Sequence, residues 1–105
     1  IIKKYPEWLY SIPILDWPLF ILNASCGPTG FIDKNMATYR IHDGGVWSNT
    51  TPKDHRFAAL KVYNAINKHF KYKYNNIIAP KLFRIKLSLI KIYITKLIKY
   101  LLGKK

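Results

Sequence analysis

The sequence predicts an α/β fragment, mostly helical, with a short two-stranded β element and a long C-terminal amphipathic helix. Three observations carry this. Apolar residues recur at helical spacing through the last quarter of the chain. Two short alternating runs flank Asp33-Lys34-Asn35. Asp16-Trp17-Pro18 and Thr51-Pro52 each have the form of a helix start.

Residues 1–15 are apolar and aromatic, and Pro6 and Pro13 prevent a long helix there. "DWPLFILNASCG" reads as one short helix: Asp16 suits the N-cap, Pro18 the first turn, and Gly27 can close the C-terminus. "TGFID" and "MATYRIH" read as two short strands joined through Asp33-Lys34-Asn35. "DGGVWSNTTP" is a loop by composition. A helix then runs from about Lys53 to about Lys73, with Ala58, Val62, Ala65, Ile66 and His69 as its best stripe. "NNIIAP" breaks it, and Pro80 starts the last helix. There Phe83, Leu87, Ile90, Ile94, Leu97 and Leu101 repeat at four and three, a helical seam, while Arg84, Ser88, Lys91, Thr95 and Lys99 form a polar stripe. Lys91, Lys96 and Lys99 interrupt any transmembrane run. A helix so apolar, carrying a lysine ridge, suits either the membrane interface or packing on another part of the protein.

At 105 residues the chain is at most one small domain. It starts at Ile1 with no cap or turn signal in residues 1–15, which suggests the C-terminal piece of a longer protein. The single cysteine, Cys26, excludes an internal disulfide and fits a reducing compartment. No basic region leads into an apolar run, so no signal peptide is visible. The triplets Asn23-Ala24-Ser25 and Asn49-Thr50-Thr51 match glycosylation acceptors, a short pattern that chance often produces. Charge is unevenly placed. Residues 1–56 carry six Lys/Arg against all five acids, a net of +1, whereas residues 57–105 carry twelve Lys/Arg and no acid, a net of +12. Such a block seeks polyanions: lipid head groups, nucleic acid or an acidic partner. Part of the excess is also what an AT-rich genome would give, since Ile, Lys, Asn and Tyr are abundant together.

Few residues could carry chemistry. Asp16 is either a helix cap or a general base at a pocket edge, partly desolvated by Trp17; a cap uses one carboxylate oxygen and leaves the other free. His42 is either an ordinary strand-end histidine or one ligand of a divalent ion whose other ligands come from elsewhere. His55 and His69 have no ligand-like company. On a strand Arg40 and His42 would point to one side, and with Gly44-Gly45 behind them they would suit a diphosphate. The alternative for Arg40 is a solvated side chain.

The ordered set "LDWPLFILNASCGPTGFID" followed by "MATYRIHDGGVWS" resembles the C-terminal part of the catalytic domain of family 2 glycosyltransferases, inverting nucleotide-sugar enzymes of the GT-A, Rossmann-like fold. The resemblance covers roughly residues 5–70. It implies that Asp16 is the catalytic base, that His42 lies near the metal and diphosphate, and that Trp17 and Trp47 are acceptor-side or lid aromatics, with Arg40 the substrate-side cation already read beside His42. Leu15 departs from the glutamate many members place there, which removes the first acid but keeps the base. The donor-binding half, with its Asp-x-Asp metal motif, is not in this chain.

The implied chemistry is a single displacement with inversion, aided by Mg²⁺ or Mn²⁺, between a nucleotide-sugar donor and a glycan or lipid-linked acceptor. Residues 1–75 would be the acceptor-side part and residues 76–105 a basic tail helix on an anionic membrane, in a cytoplasmic enzyme peripheral to the inner face of the plasma membrane. Alone, the chain would be inactive. The alternative is a non-enzymatic basic module binding anionic membrane or nucleic acid through residues 57–105, with Tyr63, Phe70, Tyr72 and Tyr74 interleaved among lysines. It leaves residues 1–56 without a role, and nucleic acid is the less expected partner.

Overall fold

The structure, a computed structural model, describes residues 2, 4–40, 42–45 and 49–103. A 3₁₀ turn at Glu7–Ser11 precedes three helices: α1 (Asp16–Ala24), α2 (Pro52–His69) and α3 (Asn75–Leu102). The chain divides into two compact units, Ile1–Thr51 and Pro52–Lys105.

The expected α/β fragment is corrected at its β element. Among the described residues there is no strand, and the chain is all-helical rather than a Rossmann-like piece. The described residues of "TGFID" and "MATYRIH" run as irregular chain, every residue from 27 to 40 exposed. Phe31 and Tyr39, which carried the alternation, stand 89% and 71% exposed. Alternation specifies a strand only where a core takes one face, and an isolated two-stranded hairpin is marginal in water. Between the two runs, the amide of Lys34 donates to the carbonyl of Ile32 at 2.9 Å, a tight three-residue turn rather than a hairpin loop.

In the first unit, Leu9, Pro18 and Leu22 are the buried side chains among the described residues. The 3₁₀ turn starts at Pro6, whose carbonyl accepts from the Leu9 amide at 3.0 Å, and Ser11 Oγ donates to the Trp8 carbonyl at 2.8 Å. Helix α1 ends without glycine's help. Ser25 Oγ donates to the Leu22 carbonyl at 2.6 Å and the Cys26 amide to the Asn23 carbonyl at 3.0 Å, so polar groups before Gly27 satisfy the last turn.

The second unit is a helical hairpin. Residue 67 bonds to 75, 56 bonds to 88, and Lys53 stacks on Tyr93, so partner numbers rise along α3 as they fall along α2 and the helices are antiparallel. Helix α2 buries Ala58, Val62, Ile66 and Asn67, with Val62 fully enclosed. The expected stripe is therefore the buried one at Ala58, Val62 and Ile66, while His69 is exposed. Helix α2 stops at His69, and Phe70–Tyr74 form the connection. Lys71 and Tyr72 take φ of 49° and 62° there. Edge-on ring contacts of Phe70 with His69 (5.0 Å) and Tyr74 (5.5 Å) brace it.

Helix α3 begins at Asn75, five residues before the expected start at Pro80. "NNIIAP" is its first turn and a half instead of a break. Pro80 removes one ladder donor, which leaves the carbonyl of Asn76 to water at an exposed position.

Candidate functional site

Asp16 is the first residue of α1, and Leu15 occupies the cap position without a side-chain cap bond. The aspartate is exposed, and its Oδ1 accepts from the amide of Trp17 at 2.9 Å. This satisfies one of the donors that a helix start leaves open, and the negative charge sits at the favourable end of the helix dipole. Its second oxygen lies outside that bond. Trp17 is 42% exposed, its indole beside the carboxylate in sequence and in the same first turn. An exposed carboxylate oxygen on a rigid helix start is where a general base can meet an acceptor hydroxyl.

Arg40 and His42 are both exposed and lie in irregular chain between α1 and α2. The amide of Gly45 donates to the His42 carbonyl at 3.0 Å, and the His42 ring folds over Gly44, where an added Cβ would meet Nδ1 at 3.3 Å. The loop is tied further on by Asn49, whose amide donates to the Gly45 carbonyl and whose side chain donates to the Asp43 carbonyl. The structure thus joins Asp16 with Trp17, and His42 with Gly44-Gly45. Among the described residues no hydrogen bond links the first pair to Arg40 or His42. Trp47 lies outside the described residues.

Among the described residues no three His, Cys, Asp or Glu side chains come together. His42 is thus a single imidazole here, and the side chains described do not by themselves make a cage for a divalent ion. A shallow open hollow lined by Phe31, Ile32, Asp33, Lys34 and Asn35 is only the curvature of one segment.

No protein-family model, curated protein or solved structure matches the chain. The site therefore stands on its residues and their surroundings.

The second chemical feature is the surface of α3. Its buried or half-buried positions are Ile78, Ala79, Leu82, Ile85, Ser88, Leu89 and Ile92. Ser88 within this stripe bonds to Arg56 of α2, and Asn75 at the start of α3 bonds to Asn67, so the stripe is the face turned to α2. The seam expected at Phe83, Leu87, Ile90, Ile94, Leu97 and Leu101 is another stripe, 42–63% exposed at these six positions. Two apolar stripes therefore share one helix. Both obey the four-and-three spacing, and periodicity alone does not say which faces inward. A signal was present: the inner stripe ends where its next members are Lys96 and Lys99, while the outer one continues to Leu101.

Asn67 has no role in the expected site, yet it is the one buried polar side chain on α2 among the described residues. Its Nδ2 donates to Asn75 Oδ1 at 2.9 Å and its carbonyl accepts from the Tyr72 amide at 2.8 Å, so it ties both ends of the turn. Phe70 and Tyr74 meet edge to face, and Lys73 Nζ sits 5.4 Å from the centre of the Tyr74 ring. Two of the aromatics that could have received bases are thus engaged inside the turn.

No described helix is long and apolar enough to cross a membrane.

Proposed function

We propose that the chain is the acceptor-side portion of an inverting, nucleotide-sugar-dependent glycosyltransferase, acting in the synthesis of a cell-surface or lipid-linked glycan. The observation that carries this reading is Asp16. It opens α1 with an exposed carboxylate, one oxygen held by the Trp17 amide and the other outside that bond, at the head of the ordered motif set through "YRIHDGGVWS". The exposed Phe31, Ile32, Met36 and Tyr39 leave an apolar surface that the donor-binding part of such an enzyme would cover.

In this reading Asp16 takes the proton from the acceptor hydroxyl as the oxygen attacks the anomeric carbon. The new carbon–oxygen bond forms on one face while the bond to the nucleoside diphosphate breaks on the other, and the electron pair leaves with the diphosphate. Trp17 would shelter the base and Trp47 the acceptor side, while Arg40 offers a bidentate cation to the phosphates. A Mg²⁺ or Mn²⁺ ion would supply charge neutralisation on the diphosphate when bound, and this chain would offer it only His42. The enzyme would sit peripherally at the inner face of the plasma membrane.

The test is Asp16→Asn in the enzyme containing this segment, with nucleoside diphosphate release and nucleotide-sugar binding measured separately. Removing a general base should slow transfer by about 10²–10⁴-fold and leave donor affinity unchanged. Transfer at the parental rate would sink the assignment.

A further inference from the structure

The outer stripe of α3 has no partner within its own hairpin. The side of α3 turned to α2 is the Ile78–Ile92 stripe, and α3 is also the longer helix, with 28 residues against 18. At about 1.5 Å per residue it outruns α2 by roughly 15 Å. Every described residue from 93 to 103 is exposed. If α3 existed only to pair with α2, its apolar pattern should fade where α2 ends. The inner stripe does so, passing from Ile92 to Lys96 and Lys99. The outer stripe instead continues through Ile94 (50% exposed), Leu97 (57%) and Leu101 (60%). The outer stripe is thus built for a surface other than α2.

Charge identifies that surface. Projected down the helix at 3.6 residues per turn, the outer stripe is bordered on one side by Arg84 and Lys91 and on the other by Lys86. No acid occurs anywhere in residues 57–105. A second copy laid stripe to stripe would set lysine rows against lysine rows, with no carboxylate on α3 of either copy to offset them. A plane of anionic head groups over an acyl boundary satisfies both parts. It takes the apolar stripe a few ångströms deep, and long lysine stems on its borders can keep their ammonium groups at the phosphates.

We infer that α3 docks in the plane of an anionic lipid surface through Phe83, Leu87, Ile90, Ile94, Leu97 and Leu101, with Arg84, Lys86 and Lys91 on the head groups. This rests on the peripheral placement proposed above and is independent of sugar transfer. Vesicle partition reads the one and nucleoside diphosphate release the other, so either can fail alone.

The experiment is co-sedimentation of the 105-residue chain with vesicles of phosphatidylcholine, with and without about 30% phosphatidylglycerol. The chain should partition onto the anionic vesicles, and partition should weaken about tenfold or more between roughly 0.05 and 0.5 M salt. Ile94→Asp/Leu97→Asp should weaken partition at least about tenfold with helicity by circular dichroism unchanged, because both side chains point away from α2. Arg84→Gln/Lys91→Gln, which leaves every apolar side chain in place, should weaken binding to anionic vesicles and leave the residual binding to neutral ones unaltered. Absence of partition onto anionic vesicles would overturn the proposal. So would equal binding to neutral vesicles, a dimer in sedimentation that Ile94→Asp/Leu97→Asp dissolves, or tighter binding to an oligonucleotide than to the anionic vesicles.

Discussion

Lys71 and Tyr72 occupy the left-handed region in succession, at φ of 49° and 62°. For an L-residue with a Cβ this costs roughly 1–2 kcal/mol at each position. The turn keeps the conformation because both its ends are anchored: the Tyr72 amide donates to the Asn67 carbonyl, and Asn67 Nδ2 reaches Asn75. Asn67 Oδ1 is itself buried without a hydrogen-bond partner among the described residues, so the anchor carries a desolvation cost of its own. The strain can be read by substitution at Lys71, whose side chain is exposed. Lys71→Gly relieves the Cβ clash but loosens the unfolded chain, so it should be neutral to stabilising by up to about 1 kcal/mol. Lys71→Val places a β-branched residue where it fits worst and should destabilise by about 1 kcal/mol or more. Urea unfolding of the three proteins should rank glycine first, lysine second and valine last; valine equal to or above lysine would contradict the left-handed assignment. At the same scale, Asp16 was legible as a helix-start residue, but not its place one residue inside the helix. The pattern Leu-Asp-Trp-Pro is compatible with either register, and the Leu19 amide donating to the Leu15 carbonyl at 3.1 Å makes Leu15 the cap.

At the scale of elements, helix α2 was legible because a Thr-Pro start and a spacing of four at Ala58, Val62 and Ile66 agree with each other. Its end was less so. Nothing in Lys68–Lys73 forbids helix, and the stop is made by the tertiary pairing of Asn67 with Asn75, which leaves no local mark. The β element failed for the opposite reason: its alternation is genuine, but no neighbouring ladder or core is present to use it. Pro80 misled because proline most often opens a helix, whereas here it lies in the sixth position of α3. The cost of that placement is measurable. Its ring crowds the carbonyl of Asn76 and its missing amide leaves that carbonyl without a ladder donor. Pro80→Ala should therefore stabilise the protein by about 1–3 kcal/mol, seen as a higher denaturation midpoint with unchanged slope. A loss of stability would mean that proline fixes the start of α3 by limiting the unfolded chain more than it strains the helix. Which stripe of α3 faces inward was also beyond local reading, since both stripes have helical spacing and only the extent of α2 separates them.

Over the whole molecule, charge is the dominant long-range feature. Eighteen Lys/Arg face five acids, so even if every acid paired with a cation, a net +13 would remain. The second half carries a net of +12 with no acid after residue 56, so repulsion concentrates in the α2–α3 hairpin. Such self-repulsion works against a compact state, and it weakens as salt shortens the screening length from about 30 Å at 0.01 M to about 10 Å at 0.1 M. The sign of the salt effect follows. In a protein held by exposed ion pairs, added salt lowers stability; here the repulsions outnumber the attractions, and salt should raise it. Relief of about 1 kcal/mol would lift Tm by about 4–8 °C for a domain of this size between roughly 0.01 and 0.2 M sodium chloride. A calorimetric or circular-dichroism melt at the two concentrations decides the point, and a flat or falling Tm would mean that cation stacking, such as Lys53 on Phe57 and Tyr93, outweighs the repulsion. The same field bears on the lipid surface. Polyanions that neutralise the hairpin should stabilise it more than sodium chloride at equal ionic strength, because they bind the folded array of cations in place rather than only screening it. Anionic vesicles that raised Tm no further than salt would therefore count against α3 as their docking face.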